Sequence, residues 1–154
     1  MRSSSMARKW TYAGLFMITL ATLMYETLLT RIFSVTMWYH FAFVAVSIAL
    51  FGMTVGALLV YLLPRAFTIE RSKHYMALSG LLFAVTIVFS FLTHLSIPFV
   101  TGRSLVVIYS MALSYVVIAV PFIFSGVCVC LALTRFPRQV SKLYAADLAG
   151  AAIG

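Results

Sequence analysis

Three acids, three histidines and two cysteines are the side chains of this sequence best suited to acid–base, metal or thiol chemistry. The acids are Glu26, Glu70 and Asp147, the histidines His40, His74 and His94, and the thiols Cys128 and Cys130. Metal sites need their ligands at spacings that bring them together, and these histidines are too scattered for that. Cys128 and Cys130 stand two positions apart, so on a helix they point to different faces and read as packing thiols. The sequence holds no glycine-rich nucleotide turn, P-loop, His-Glu-x-x-His or nucleophile elbow. No catalytic residue, metal ligand or cofactor is therefore expected within these residues.

Glu26 most needs a physical reason. It sits in the apolar run 10–33, where Arg31 is the only other charge. A carboxylate at the centre of a membrane helix costs about 2.5–3.5 kcal/mol on insertion scales, so it normally faces protein or water. Thr19, Thr22, Glu26 and Thr30 recur at helical spacing and form one polar stripe. Arg31 is five residues on, outside the three- or four-residue reach of an intrahelical pair. His40, His94 and Arg103 are the candidate partners across the bundle. Three roles fit: an interhelical clamp, a proton- or substrate-handling group, or a carboxylate snorkelling to the interface. Asp147 shares a face with Gly150 and Gly154, and Arg135, Arg138 and Lys142 are its expected ion-pair partners. Glu26 and Asp147 fall at opposite leaflets, which argues against a paired-carboxylate site.

The elements that carry these residues are set by composition. Hydrophobic residues make up 64% of the chain, charged ones 9%, and mean hydropathy is +1.09. A soluble domain is about a quarter charged, so bilayer is the natural solvent of this chain. Spans are expected over about 10–33, 41–63, 75–97 and 108–133, each long enough to cross about 30 Å of hydrocarbon. A fifth, 143–154, covers only about 18 Å and reads as a truncated span. The fold class is an all-α polytopic helix bundle, with 1–9 as an N-terminal tail and 10–154 as the transmembrane domain.

The net charge of +8 reads as loop charge rather than as a nucleic-acid surface, because no basic stripe interleaves with aromatics. Arg2, Arg8, Lys9, Arg65, Arg71, Lys73, Arg135, Arg138 and Lys142 fall on one side of the alternating spans, and only Arg31 and Arg103 on the other. The positive-inside rule then places the N-terminus in the cytoplasm. Trp10, Tyr12, Trp38 and Tyr39 stand where interfacial aromatics are expected. Ala45, Ala49, Gly52 and Gly56 line one face of the second span, and Ala146, Gly150 and Gly154 one face of the fifth; small residues at such spacing let helices approach closely. Pro121, followed by Ser125 and Gly126, predicts a kink in the long fourth span.

Three stretches together resemble a known family. They are Tyr25-Glu26-Thr27-Leu28-Leu29-Thr30-Arg31-Ile32-Phe33-Ser34 continuing through Trp38-Tyr39-His40-Phe41-Ala42-Phe43, then Pro121-Phe122-Ile123-Phe124-Ser125-Gly126, then Leu143-Tyr144-Ala145-Ala146-Asp147-Leu148-Ala149-Gly150-Ala151-Ala152-Ile153-Gly154. The chain resembles the membrane-embedded N-terminal part of bacterial spermidine-synthase-like proteins. The resemblance implies a bacterial inner-membrane protein whose cytoplasmic aminopropyltransferase-like domain follows these residues. The family's nucleotide-binding glycines and catalytic acids belong to that domain, so none is carried over here. A transporter fragment for a small cationic solute and a structural membrane anchor are the competing readings, and the sequence leaves oligomeric state open.

Overall fold

A computed structural model describes residues 9–36, 41–64, 67–68, 71–96 and 105–154. The described residues are helical, with no strand among them: α1 (Lys9–Thr36), α2 (Phe41–Leu62), α3 (Ser72–Ser96), α4 (Leu105–Arg135) and α5 (Val140–Ile153), the last preceded by a 3-10 turn at Pro137–Gln139. Four helices are long and apolar enough to cross a membrane, over Lys9–Val35, Phe43–Leu62, Ser72–Ser96 and Ile108–Arg135. The chain is thus an all-α bundle with four long apolar candidate spans and a shorter fifth helix. The helices extend beyond the apolar runs because polar and basic end residues such as Ser72, Lys73 and Arg135 continue the backbone hydrogen bonding into the interface.

The helices alternate in direction, and α4 is the hub. Its membrane window is 56% buried within the bundle, against 22–28% for the other three. Small residues explain how neighbours come so close. A Cβ built at Gly52 would stand 2.7 Å from Phe122 Cβ and 2.8 Å from Ala119 O, and one at Gly56 would strike Ile123 O and Val127 N. On the α4 side, Gly126 lies against the Met53 backbone. Ala45 and Ala49 are buried in the same contact. The two helices run parallel, pressed together backbone to backbone.

The fifth helix uses the same device on α1. A Cβ at Gly150 would strike Thr19 Oγ1 and Phe16 O, and one at Gly154 would strike Leu20 O. Contacts that advance together along both helices make α5 parallel to α1. Tyr12 donates a hydrogen bond to Gln139 Oε1 at 2.9 Å and ties the two at their starts. Pro121 is buried inside α4, which runs as one helix from Leu105 to Arg135. Proline has no N–H to give the carbonyl one turn earlier, and neighbouring helices close over the weakened turn.

Two apolar clusters fill the bundle. One gathers Leu15, Val60, Met76, Leu131, Phe136 and Leu143 near the starts of α1, α3 and α5; the other gathers Tyr25, Leu29, Phe33, Ile48, Ile118 and Phe122 toward the opposite end. Among the described residues, alternation places Lys9, Arg71, Lys73, Arg135, Arg138 and Lys142 at the first end, and only Arg31 of the Lys and Arg residues near the second.

Candidate functional site

Between the two clusters, hydroxyl groups from three helices meet. Thr22 Oγ1 and Ser125 Oγ stand 2.7 Å apart, both buried. Thr22 also bonds Ile18 O at 2.7 Å. A hydroxyl has one proton, so Thr22 spends its own on Ile18 O and accepts the proton of Ser125. One turn further, Tyr25 OH donates to Ser90 Oγ at 3.0 Å and joins α1 to α3. The Tyr25 ring stacks on Phe122 with centroids 5.5 Å apart. Beyond it His94 packs its ring against Phe33 at 5.1 Å. His94 Nδ1 is buried and has no hydrogen-bond partner among the described residues. The seam thus runs Thr22–Ser125, Tyr25–Ser90, then His94, each pair crossing a helix contact.

The predicted stripe on α1 divides. Thr19 and Thr22 are buried, whereas Glu26 and Thr30 are half-buried on the flank. Thr19 Oγ1 bonds the carbonyls of Leu15 and Phe16, each at 3.1 Å, and lies under Gly150. Thr30 bonds Thr27 O. Glu26 forms no hydrogen bond or ion pair among the described residues. His40 and Arg103, two of its candidate partners, lie outside the described residues, as do Trp38 and Tyr39. Arg31 is exposed.

Asp147 is half-buried. The expected ion pair with Arg135, Arg138 or Lys142 is not formed among the described residues. Asp147 stands one helical turn before Gly150, which seats on α1, while Arg138 and Lys142 are exposed. Gly150 lies level with Phe16–Leu20, so Asp147 and Glu26 are roughly 15 Å apart along the axes, from a 1.5 Å rise per residue. They do not form one site.

Cys128 and Cys130 diverge as their spacing requires. Cys128 Sγ approaches Met76 O on α3 at 3.8 Å, and Cys130 Sγ approaches Ala57 O on α2 at 3.9 Å. Both are free thiols.

Sequence reasoning passed over α3. Ser72, Ser79, Ser90 and His94 are all buried and recur on one helical face, a pattern present in the sequence. Such a stripe can satisfy its hydroxyls, link helices and define their rotation, and His94 is its one described group able to do acid–base chemistry. No family model matches the chain, and neither a curated protein nor a solved structure matches it.

Proposed function

We propose that this chain is the membrane module of a bacterial spermidine-synthase-like protein, with the N-terminus in the cytoplasm, anchoring or feeding a cytoplasmic aminopropyltransferase-like domain of the same protein. The observation that carries this reading is where the three resembling stretches lie. Tyr25 of the first stacks on Phe122 of the second, and Gly150 and Gly154 of the third seat on α1 just before the first. Ser125 of the second stretch meets Thr22 on the same face of α1. Residues that are far apart in the chain and resemble one family thus form one helix junction, as a shared packing architecture requires. The gathering of basic residues at one end supports the inner-membrane orientation through the positive-inside rule.

Anchoring is the local job this junction serves best, since its hydroxyls are taken up by one another and by helix carbonyls. The fifth helix leads away from the basic end, so a cytoplasmic domain would follow a further span. The test is the reading frame beyond Gly154, followed by an aminopropyl-transfer assay on the whole protein. A soluble α/β segment with a glycine-rich nucleotide turn and transfer to a diamine supports the proposal. A stop shortly after Gly154 sinks it.

A second reading, a transporter of a small cationic solute, draws on half-buried Glu26 with no described partner. Polyamine flux in proteoliposomes, abolished by Glu26→Gln, would favour it over the anchor.

A further inference from the structure

Helix α3 satisfies several of its hydroxyls within itself. Thr86, Thr93 and Ser96 each donate to the carbonyl one turn earlier, at 2.7–2.8 Å. Ser90 does not. It is 2% exposed and accepts the Tyr25 hydroxyl at 3.0 Å, while its own proton meets no acceptor among the described residues. One turn further along the same face, His94 is 8% exposed, and its Nδ1 is enclosed without a partner among the described residues. A donor and an acceptor, both buried and both unspent, thus stand four residues apart.

Their surroundings are apolar. Tyr25, whose hydroxyl reaches Ser90, and Phe33, whose ring packs 5.1 Å from that of His94, both belong to the apolar cluster at this end of the bundle. Buried donors and acceptors in such a setting are almost always paired. Cβ atoms four residues apart on a helix are about 5–6 Å from each other. That span suits two hydrogen bonds of about 2.8 Å end to end rather than one. A bridging group must therefore be small, accept from a hydroxyl and donate to an imidazole nitrogen. Water meets all three demands. A metal ion would need further ligands, and no group of three His, Cys, Asp or Glu side chains forms among the described residues.

We propose that Ser90 and His94 hold one buried water molecule at the α1–α3 contact, with Ser90 Oγ donating to the water and the water donating to His94 Nδ1. The phenol of Tyr25, donating to Ser90, then heads a directed chain of Tyr25, Ser90, water and His94. Such a chain fixes the imidazole tautomer, because Nδ1 keeps its lone pair and the ring proton stays on Nε2. It also couples the last turns of α3 to α1 through polar groups, beside the Phe33 ring contact. The site needs only the helix bundle and is independent of any domain that follows it.

The experiment is magic-angle-spinning NMR of the whole chain in proteoliposomes, with isotopically labelled histidine nitrogens; the His94 signals are those lost in His94→Gln. A neutral ring protonated on Nε2 is expected, with magnetisation passing from water to Nδ1. Ser90→Ala should abolish that transfer and Ser90→Thr should preserve it. Thr93→Val, which removes the neighbouring hydroxyl that bonds Phe89 O, should leave it unchanged. A ring protonated on Nδ1, or no transfer from water in the unaltered chain, would overturn the site, and neither result depends on a variant that folds. Transfer as strong in Ser90→Ala as in the unaltered chain would overturn Ser90 as the donor.

Discussion

Thr22 Oγ1 and Ser125 Oγ meet at 2.7 Å across the α1–α4 contact, 103 residues apart in sequence. Both are buried, so removing one leaves the other with a lost partner in an apolar setting. Thr22 keeps its own proton on Ile18 O, which makes Ser125 the residue that depends on the pair.

A double-mutant cycle of Thr22→Val and Ser125→Ala should therefore give a coupling of about 0.6 kcal/mol, the average for hydrogen bonds between membrane helices. Reversible unfolding in mixed micelles measures it. Strictly additive losses would show that the two hydroxyls are neighbours without a bond.

Glycine-to-alanine changes should differ in sign along the chain. Gly56→Ala drives a methyl into Ile123 O and Val127 N, both backbone atoms that cannot rotate away, and overpacking of this kind costs about 1–3 kcal/mol. Gly14→Ala meets nothing within 4 Å and should be neutral or stabilising by up to about 1 kcal/mol through helix propensity. Equal effects in the same unfolding assay would contradict the close α2–α4 approach.

Orientation can be read by labelling. In a background with Cys128→Ser and Cys130→Ser, Ser96→Cys should react with a membrane-impermeant maleimide in intact cells, and Ser141→Cys only after permeabilisation. Both serines are exposed and sit at opposite ends of the bundle. The reverse pattern would turn the proposed topology over and put the basic end outside.

Glu26→Gln should leave stability unchanged or raise it slightly, because no described group depends on the carboxylate and a charge at membrane depth is unfavourable. A loss above about 1 kcal/mol, on the scale of broken charged hydrogen bonds, would establish the interhelical clamp and place its partner outside the described residues.

Much of the fold was legible in the sequence because membrane helices announce themselves by length. Charge-free runs located α2, α3 and α4 to within a few residues at most ends, and the glycines of α2 and α5 marked close contacts without naming the partner helix. The partner is a tertiary matter: Gly56 meets α4 and Gly150 meets α1 through the order in which helices surround the hub. The polar seam was half legible. Thr19 and Thr22 stood out beside Glu26, but Ser79, Ser90 and Ser125 are small hydroxyls that barely lower hydropathy and can bond their own helix. The charge that drew most notice, Glu26, lies on the flank, while the uncharged Tyr25 beside it makes the interhelical bond.

Because α5 seats on α1, a surface synthesised early is covered by a helix made four elements later. Tyr12 and Gln139 are separated by 127 positions, so at about 5–20 residues per second α1 waits roughly 6–25 s for its neighbour. During that interval Thr19 and the backbone it shields face lipid or the insertion machinery, and the hydroxyl's bonds to Leu15 O and Phe16 O keep it tolerable there. The parallel pairing of the two helices is therefore also a timing device, which leaves the bundle open until translation has passed Gly150.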